Sequence, residues 1–280
     1  MSLLVSGSAI VLPVLYTLLL VAYAQRFLGR RGGLVRTVRG MLFATVSIHA
    51  GTIALRAAIE RACPVTAQAE IFSLVAFTVL TIYVTLEGRF DRGADADGED
   101  ELPRTAGVFV VATAFVMQLI ASLLSIESVE PARSLAFWPS LHVFTGVISI
   151  SAVAVASVYG VLYLFLYRSL KRGSFGLFYQ RMPDLESLGR VNFFAVIIAF
   201  AAVSVTIAGG AASYFAMEDV EVSRWRVGFT VALWMLYGGL IIAHAWFRFG
   251  GKRLAYSTVL GAVFAFSILA VGLVRMAAAS

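Results

Sequence analysis

Charged residues and cysteine are scarce in this chain of 280 residues, and several common catalytic motifs are absent. Only 14% of the residues are charged and 60% are hydrophobic, whereas ordinary soluble domains have about 25% charged residues. The single cysteine cannot form a disulfide within the chain or a CxxC redox pair. No HExxH, GxxxxGK[ST] or GxSxG motif occurs. The composition excludes a disordered chain, a disulfide scaffold and a water-soluble enzyme, and it indicates a polytopic membrane protein.

Acidic residues and lysine are missing from the middle of every long apolar run. Transporters that couple to protons usually need buried carboxylates, so this absence argues against that class. A transporter of small apolar solutes remains an alternative, but a less favoured one. Gly209-Gly210 lies inside a run, where small residues allow helices to approach closely.

Eight apolar runs are long enough to cross a membrane as helices. A span needs about 20 residues to cross about 30 Å of hydrocarbon. Backbone polar groups in lipid must be paired internally, and the runs lack the alternation of a β-barrel. We therefore predict an all-α polytopic bundle of about eight transmembrane helices, forming one domain over residues 1–280. The spans are roughly 4–24, 39–59, 69–87, 105–126, 140–167, 190–214, 226–247 and 254–275.

Basic residues are distributed unevenly between the two sets of loops that eight spans create. One set holds sixteen of the 22 lysines and arginines, and the other holds six. Basic loops face the cytoplasm, so the asymmetry predicts that both termini lie on the outer side of a plasma or inner membrane. The net charge of +6 then reflects topology and does not indicate nucleic-acid binding. The larger set is Arg26, Arg30, Arg31, Arg36, Arg39, Arg89, Arg92, Arg104, Arg168, Lys171, Arg172, Arg181, Arg190, Arg248, Lys252 and Arg253.

All three histidines lie within or at the ends of predicted spans, where polar side chains are costly and often functional. His49 is midway along the second span, and Arg56 follows two turns later on the same face. We consider both residues candidates for cofactor binding. The alternative is a histidine bonded to neighbouring backbone and an arginine that snorkels to the interface.

The other two histidines are candidate haem ligands. His142 opens the fifth span, where a neutral imidazole is a candidate metal ligand facing the outer side; a hydrated interfacial histidine is the alternative. His244 is near the cytoplasmic end of the seventh span, and Arg248 is at i+4 on the same face. An imidazole one turn from a guanidinium suits haem iron and a haem propionate. It equally suits a basic anchor at the membrane surface.

Haem iron accepts two axial imidazoles, one from each face of the ring. His49 and His244 are the only two histidines whose predicted depths come close enough to share one ring. The alternative is that each histidine contributes half of a separate site.

Four stretches of sequence occur in a characteristic order along the chain. They are His49–Phe90 with Pro64-Val65-Thr66 and Glu70, then WPSLHVFTGVISISAVAVASVYGVLYLFLYRSLKR, MPDLESLGRVNFF, and AHAWFRFGGKRLAYSTVLG. Their order and the number of spans resemble the cytochrome c assembly family of haem-handling membrane proteins (CcsA/HemX-like). The resemblance implies a role in cytochrome c maturation or haem homeostasis, with haem as cofactor. It implies other assembly or haem-synthesis proteins as partners.

The resemblance also assigns roles to particular residues. His142 matches the outer-facing haem ligand of the family, and His244 matches its membrane-embedded histidine. Family members that attach haem carry a tryptophan-rich W-G-x-x-W-x-W-D signature; here only Trp225 remains, and Arg226 stands near the acidic position. We therefore expect a HemX-like accessory protein and not a complete haem ligase or an enzyme. A non-catalytic interaction subunit, acting through arginine-rich loops without haem, is the alternative.

Overall fold

The structure, a computed structural model, describes residues 2–29, 33, 37–60, 67–91, 103–127, 136–216, 224–247 and 249–277. Every regular element within these ranges is an α-helix, because helices pair each backbone donor and acceptor within one apolar segment. The helices are α1 (Ser2–Phe27), α2 (Val38–Glu60), α3 (Gln68–Asp91), α4 (Pro103–Glu127), α5 (Phe137–Arg172), α6 (Leu177–Arg181), α7 (Leu185–Ala216), α8 (Arg224–Phe247) and α9 (Lys252–Ala277).

Each of the eight predicted spans coincides with one of these helices, so the all-helical prediction is confirmed. Within the described part of the chain, seven helices are long and apolar enough to cross a membrane, namely α1 to α5, α7 and α8. The eighth predicted span is helical in α9 but is not among these seven. The structure thus supports a multi-pass membrane protein with seven candidate spans.

The start of α7 differs from the predicted start of its span at residue 190. The backbone N–H of Ser187 donates to Oδ1 of Asp184 at 2.7 Å. This N-cap bond satisfies a backbone donor that the first helical turn leaves unpaired. The helix therefore begins at Leu185, and the short helix α6, which the apolar pattern did not predict, precedes it.

The helices pack in two groups that α5 connects. In the first group, α1 and α3 each pack against α2 and α4. In the second group, α5 packs most extensively against α7, and it also contacts α9, while α8 packs against α7. Contacts between α3 and α5 join the groups. His49 belongs to the first group, whereas His142 and His244 belong to the second.

Helices α5 and α7 run in opposite directions. Near the start of α5, Thr145 accepts a hydrogen bond from Thr206, whereas further along α5 Gly160 lies beside Asn192. Contacts of α8 with α7 follow the same antiparallel order. The ends of α5 and α8 therefore lie at the same end of the bundle as the starts of α7 and α9. We name this the basic end, because the exposed basic residues at the end of α5 and the start of α9 lie there.

Candidate functional site

The three histidines lie at three different places in the bundle. His244 is in the last turn of α8 at the basic end, His142 is in the first turns of α5 at the opposite end, and His49 is midway along α2. Thr206, which contacts His142, and Phe193, which contacts His244, are thirteen residues apart on α7. That separation is about 20 Å along a helix, so His142 and His244 do not share one site.

His49 is fully buried, and both of its ring nitrogens are hydrogen-bonded. Nδ1 is 2.9 Å from the Tyr16 hydroxyl on α1, and Nε2 is 3.0 Å from Oγ of Ser73 on α3. The Ser73 hydroxyl donates to Oε1 of Gln118 at 3.0 Å, and the Gln118 amide donates to Oγ of Ser122 at 3.4 Å. We name these five residues the His49 chain. They connect α1, α2, α3 and α4.

One assignment of protons satisfies the His49 chain with a neutral imidazole. Because the Ser73 hydroxyl donates its proton to Gln118, Oγ of Ser73 accepts from Nε2–H of His49. Nδ1 is then an acceptor, and the Tyr16 hydroxyl donates to it. A fully paired buried network of this kind stabilises the contacts between helices. With these protons assigned, no lone pair remains on the His49 ring to bind a metal.

Arg56, which we predicted to act with His49, forms an ion pair between α2 and α3. Its Nη2 is 2.9 Å from Oε1 of Glu70, whose side chain is only 3% exposed. The other carboxylate oxygen of Glu70 accepts from the backbone N–H of Ala67 at 3.1 Å. This bond is the carboxylate half of a capping box at the start of α3. Arg56 therefore balances a buried charge, and this geometry gives it a structural role.

His142 has one nitrogen held by the backbone of α7. Its Nδ1–H donates to the carbonyl oxygen of Thr206 at 2.8 Å. A carbonyl only accepts, so Nδ1 carries the proton and Nε2 keeps its lone pair. A Cβ added at Gly210 would lie 2.9 Å from Nδ1, and one at Gly209 would lie 3.3 Å from the His142 backbone nitrogen. The prediction that this glycine pair allows close helix approach is confirmed.

His244 is held in the same way by the chain that follows α8. Its Nδ1–H donates to the carbonyl oxygen of Phe249 at 2.9 Å. The Phe249 backbone N–H donates to Ala243, and the chain then turns at Gly251, whose φ of +57° favours glycine. The Phe193 ring stacks on the imidazole with centroids 3.8 Å apart. The ring is thus held from two sides, and Nε2 has no hydrogen-bond partner among the residues that the structure describes.

A pocket of about 430 Å³ lies beside His244 at the basic end. Its lining is mainly apolar, and it includes a cation and an anion, Arg190 and Glu186, from the first turns of α7. Arg190 donates from Nη2 to Oγ of Ser187 at 3.3 Å. Small-molecule sites commonly have this size and this mixture of apolar walls with a few polar groups. The aromatic lining residues are Tyr163, Phe193 and Phe194.

The remaining predicted site residues lie away from this pocket or outside the residues that the structure describes. Arg248 lies outside the described residues. Trp225 is in the first turn of α8, at the helix end opposite His244. The Arg226 guanidinium lies 5.5 Å from the centroid of the Trp225 ring. The span predicted to begin at residue 226 begins two residues earlier, at Arg224, so Trp225 lies within α8.

Three residues that were not among the predicted site residues line the pocket, namely Arg190, Phe193 and Tyr163. Arg190 and Phe193 lie three positions apart on one face of α7, within a stretch that carries the family resemblance. This three-residue spacing could have indicated that Arg190 and Phe193 are neighbours on one face of the helix. Tyr163 is on α5 and reaches the pocket only through the packing of α5 against α7 and α9, so no local pattern indicates it.

In the described residues, no group of three or more histidine, cysteine, aspartate or glutamate side chains is placed to hold a metal ion. Haem iron needs only one or two axial protein ligands, so this result does not bear on haem. No family model and no curated sequence matches the chain. The resemblance to the cytochrome c assembly family therefore stays a prediction that rests on the motifs.

Proposed function

We propose that this chain is a haem-handling membrane protein, acting as a HemX-like accessory component of cytochrome c maturation or haem homeostasis. One observation carries the proposal. The His244 imidazole donates from Nδ1 to a backbone carbonyl, which leaves the Nε2 lone pair available beside a pocket of about 430 Å³. Histidines that bind metals are commonly oriented by such a bond from the other nitrogen.

The residues around this pocket suit the chemistry of haem, which combines a flat apolar ring, an iron that binds imidazole, and two carboxylates. Phe193 and Phe194 supply aromatic walls for the ring. Arg190 supplies a guanidinium, the group that pairs best with carboxylates. Bound haem would supply an iron whose reduction potential depends on its axial ligand and surroundings.

His142 supports the proposal at the opposite end of α7. Its Nδ1 is also held by a backbone carbonyl, and Nε2 keeps its lone pair. Because the two histidines are about 20 Å apart along α7, each contributes half of a separate site. We propose that His142 and His244 bind haem independently and that the chain lacks the tryptophan-rich surface of a complete ligase.

We also propose the orientation of the protein in a plasma or inner membrane. The basic end carries the exposed residues Arg168, Lys171 and Arg172 at the end of α5, and Lys252 and Arg253 at the start of α9. Basic connections face the cytoplasm, so the His244 pocket faces that side and both termini face the outer side.

Titration of the detergent-purified protein with haemin tests the proposal. We expect a saturable shift of the Soret band, and we expect His142→Ala and His244→Ala each to remove part of it. Trp246→Leu is the matched control, because Trp246 is two residues from His244 and its side chain is 81% exposed.

A Soret band that does not shift would contradict haem binding and favour the alternative of a haem-free interaction subunit. An equal shift in the wild type and in both histidine variants would contradict the assigned ligands. Size-exclusion profiles of all variants establish that the changes act on binding and not on folding.

A further inference from the structure

We infer that, among the residues that the structure describes, His244 is the only axial ligand supplied to the pocket, so that a haem bound there keeps one iron position open to a small exogenous ligand. The inference rests on the proposed function and deepens it. It names the ligand class as neutral molecules that bind haem iron end-on, represented by carbon monoxide for ferrous iron and imidazole for ferric iron.

Neither of the other two histidines is available to the same iron. His49 uses Nδ1 for Tyr16 and Nε2 for Ser73, and its ring is packed in the first helix group, with Phe77 at a centroid distance of 5.3 Å. His142 is at the opposite end of α7, about 20 Å from the level of His244. The chain has only three histidines, so bis-histidine ligation at this pocket is excluded.

The described lining of the pocket offers no cysteine or methionine sulfur, the other common haem ligands besides histidine. Tyr163 is the remaining residue of a type that ligates haem iron. Its hydroxyl lies against the turn after α8, 2.7 Å from where a Cβ on Gly251 would be. This contact places the Tyr163 ring in the wall of the pocket as packing for the turn.

Two contacts fix the direction in which the His244 imidazole points. Phe193 stacks on one face of the imidazole, and the Phe249 carbonyl fixes Nδ1, so the direction of Nε2 is set before any ligand binds. The other lining side chains are the apolar Leu185, Phe194 and Leu254 and the oppositely charged pair Glu186 and Arg190. Because the two charges are of opposite sign and the remaining side chains are apolar, the lining favours a small neutral molecule at the open position.

Absorption spectroscopy of the haem-loaded, full-length His142→Ala protein tests the inference, because this background leaves only the His244 site. We expect a high-spin ferric spectrum that imidazole converts to low spin in a saturable titration. After reduction, we expect carbon monoxide to shift the Soret band fully at one equivalent per haem. A low-spin spectrum before any addition, or a reduced band that carbon monoxide does not shift, would overturn the inference.

Two variants in this background identify the ligand. His244→Gly is expected to lose the haem signal and to regain it with added imidazole, which also shows that the variant is folded. Tyr163→Phe is expected to keep the high-spin spectrum. Loss of the signal in Tyr163→Phe would overturn the inference by making tyrosine the ligand. Absence of any haem binding in the wild type would instead overturn the proposed function itself.

Discussion

His49 and His244 both contact aromatic rings within apolar helices, yet their ring nitrogens have different hydrogen-bond partners. Both nitrogens of His49 bond to side chains from α1 and α3. His244 uses one nitrogen for a backbone carbonyl and leaves the other beside a pocket. The same residue type therefore closes a network in one half of the molecule and remains available for a ligand in the other.

The hydrogen-bond partners of a histidine in a membrane helix decide whether one of its ring nitrogens keeps a lone pair. Hydroxyl and amide groups can donate and accept, so a chain of them satisfies both imidazole nitrogens. A backbone carbonyl only accepts, so it fixes one tautomer and leaves a lone pair on the other nitrogen. His142, held by the Thr206 carbonyl, belongs to the second class.

The largest expected effect is the loss of haem binding at the His244 pocket in His244→Ala. Removing a ligand should lower haem affinity by more than the roughly 10–100-fold that loss of an outer-shell partner causes. A haemin titration in detergent measures this, with Trp246→Leu as the control on the same turn. Unchanged affinity in His244→Ala would place His244 in the same class as His49.

Substitution of His49 should affect stability and leave haem binding unchanged. In His49→Ala, the Tyr16 and Ser73 hydroxyls lose a buried partner, and we expect unfolding to become easier by about 1–3 kcal/mol. Denaturation in mixed detergent measures this. Ser47→Ala is the control, because Ser47 lies on the exposed side of α2. A weakened Soret shift in His49→Ala with normal stability would contradict a purely structural role for His49.

Gly251→Ala tests whether the turn after α8 orients His244. The positive φ of Gly251 strains any other residue by about 1–2 kcal/mol, and the new Cβ would meet the Tyr163 hydroxyl. We expect a haem affinity several-fold lower than that of the wild type. Gly173→Ala is the matched control, because Gly173 also has positive φ (+65°) but no neighbour within 4 Å of the added Cβ. Equal haem affinity in both variants would argue against an orienting turn.

The smallest expected effect is that of Arg56→Gln. This change leaves the Glu70 carboxylate in a buried position without its ion-pair partner. Because Arg56 itself is about one-third exposed, we expect a loss of stability near 1 kcal/mol and no change in haem binding. Thermal unfolding and the haemin titration together measure both outcomes. A haem defect without a stability defect would support the cofactor role predicted for Arg56 from sequence.

Much of the fold could be predicted because membrane helices leave a strong local signal. Apolar runs of about 20 residues have only one way to satisfy their backbone in lipid, so the eight helices lie where the runs predict them. Boundaries depend on weaker local chemistry. Asp184 caps α7, which begins at Leu185, five residues before the predicted span, and α6 is too short to leave an apolar pattern.

Apolar runs and loop charges indicate the helical class, the candidate spans and the charge asymmetry, and they single out the three histidines as rare polar groups. The packing of the helices sets the hydrogen-bond partners of each histidine. The partners of His49 are 33 and 24 residues away in sequence, and Phe193 is on a different helix from His244. Helical periodicity relates residues within one helix, whereas the tautomer and the free nitrogen of an imidazole depend on atoms that neighbouring helices bring to it.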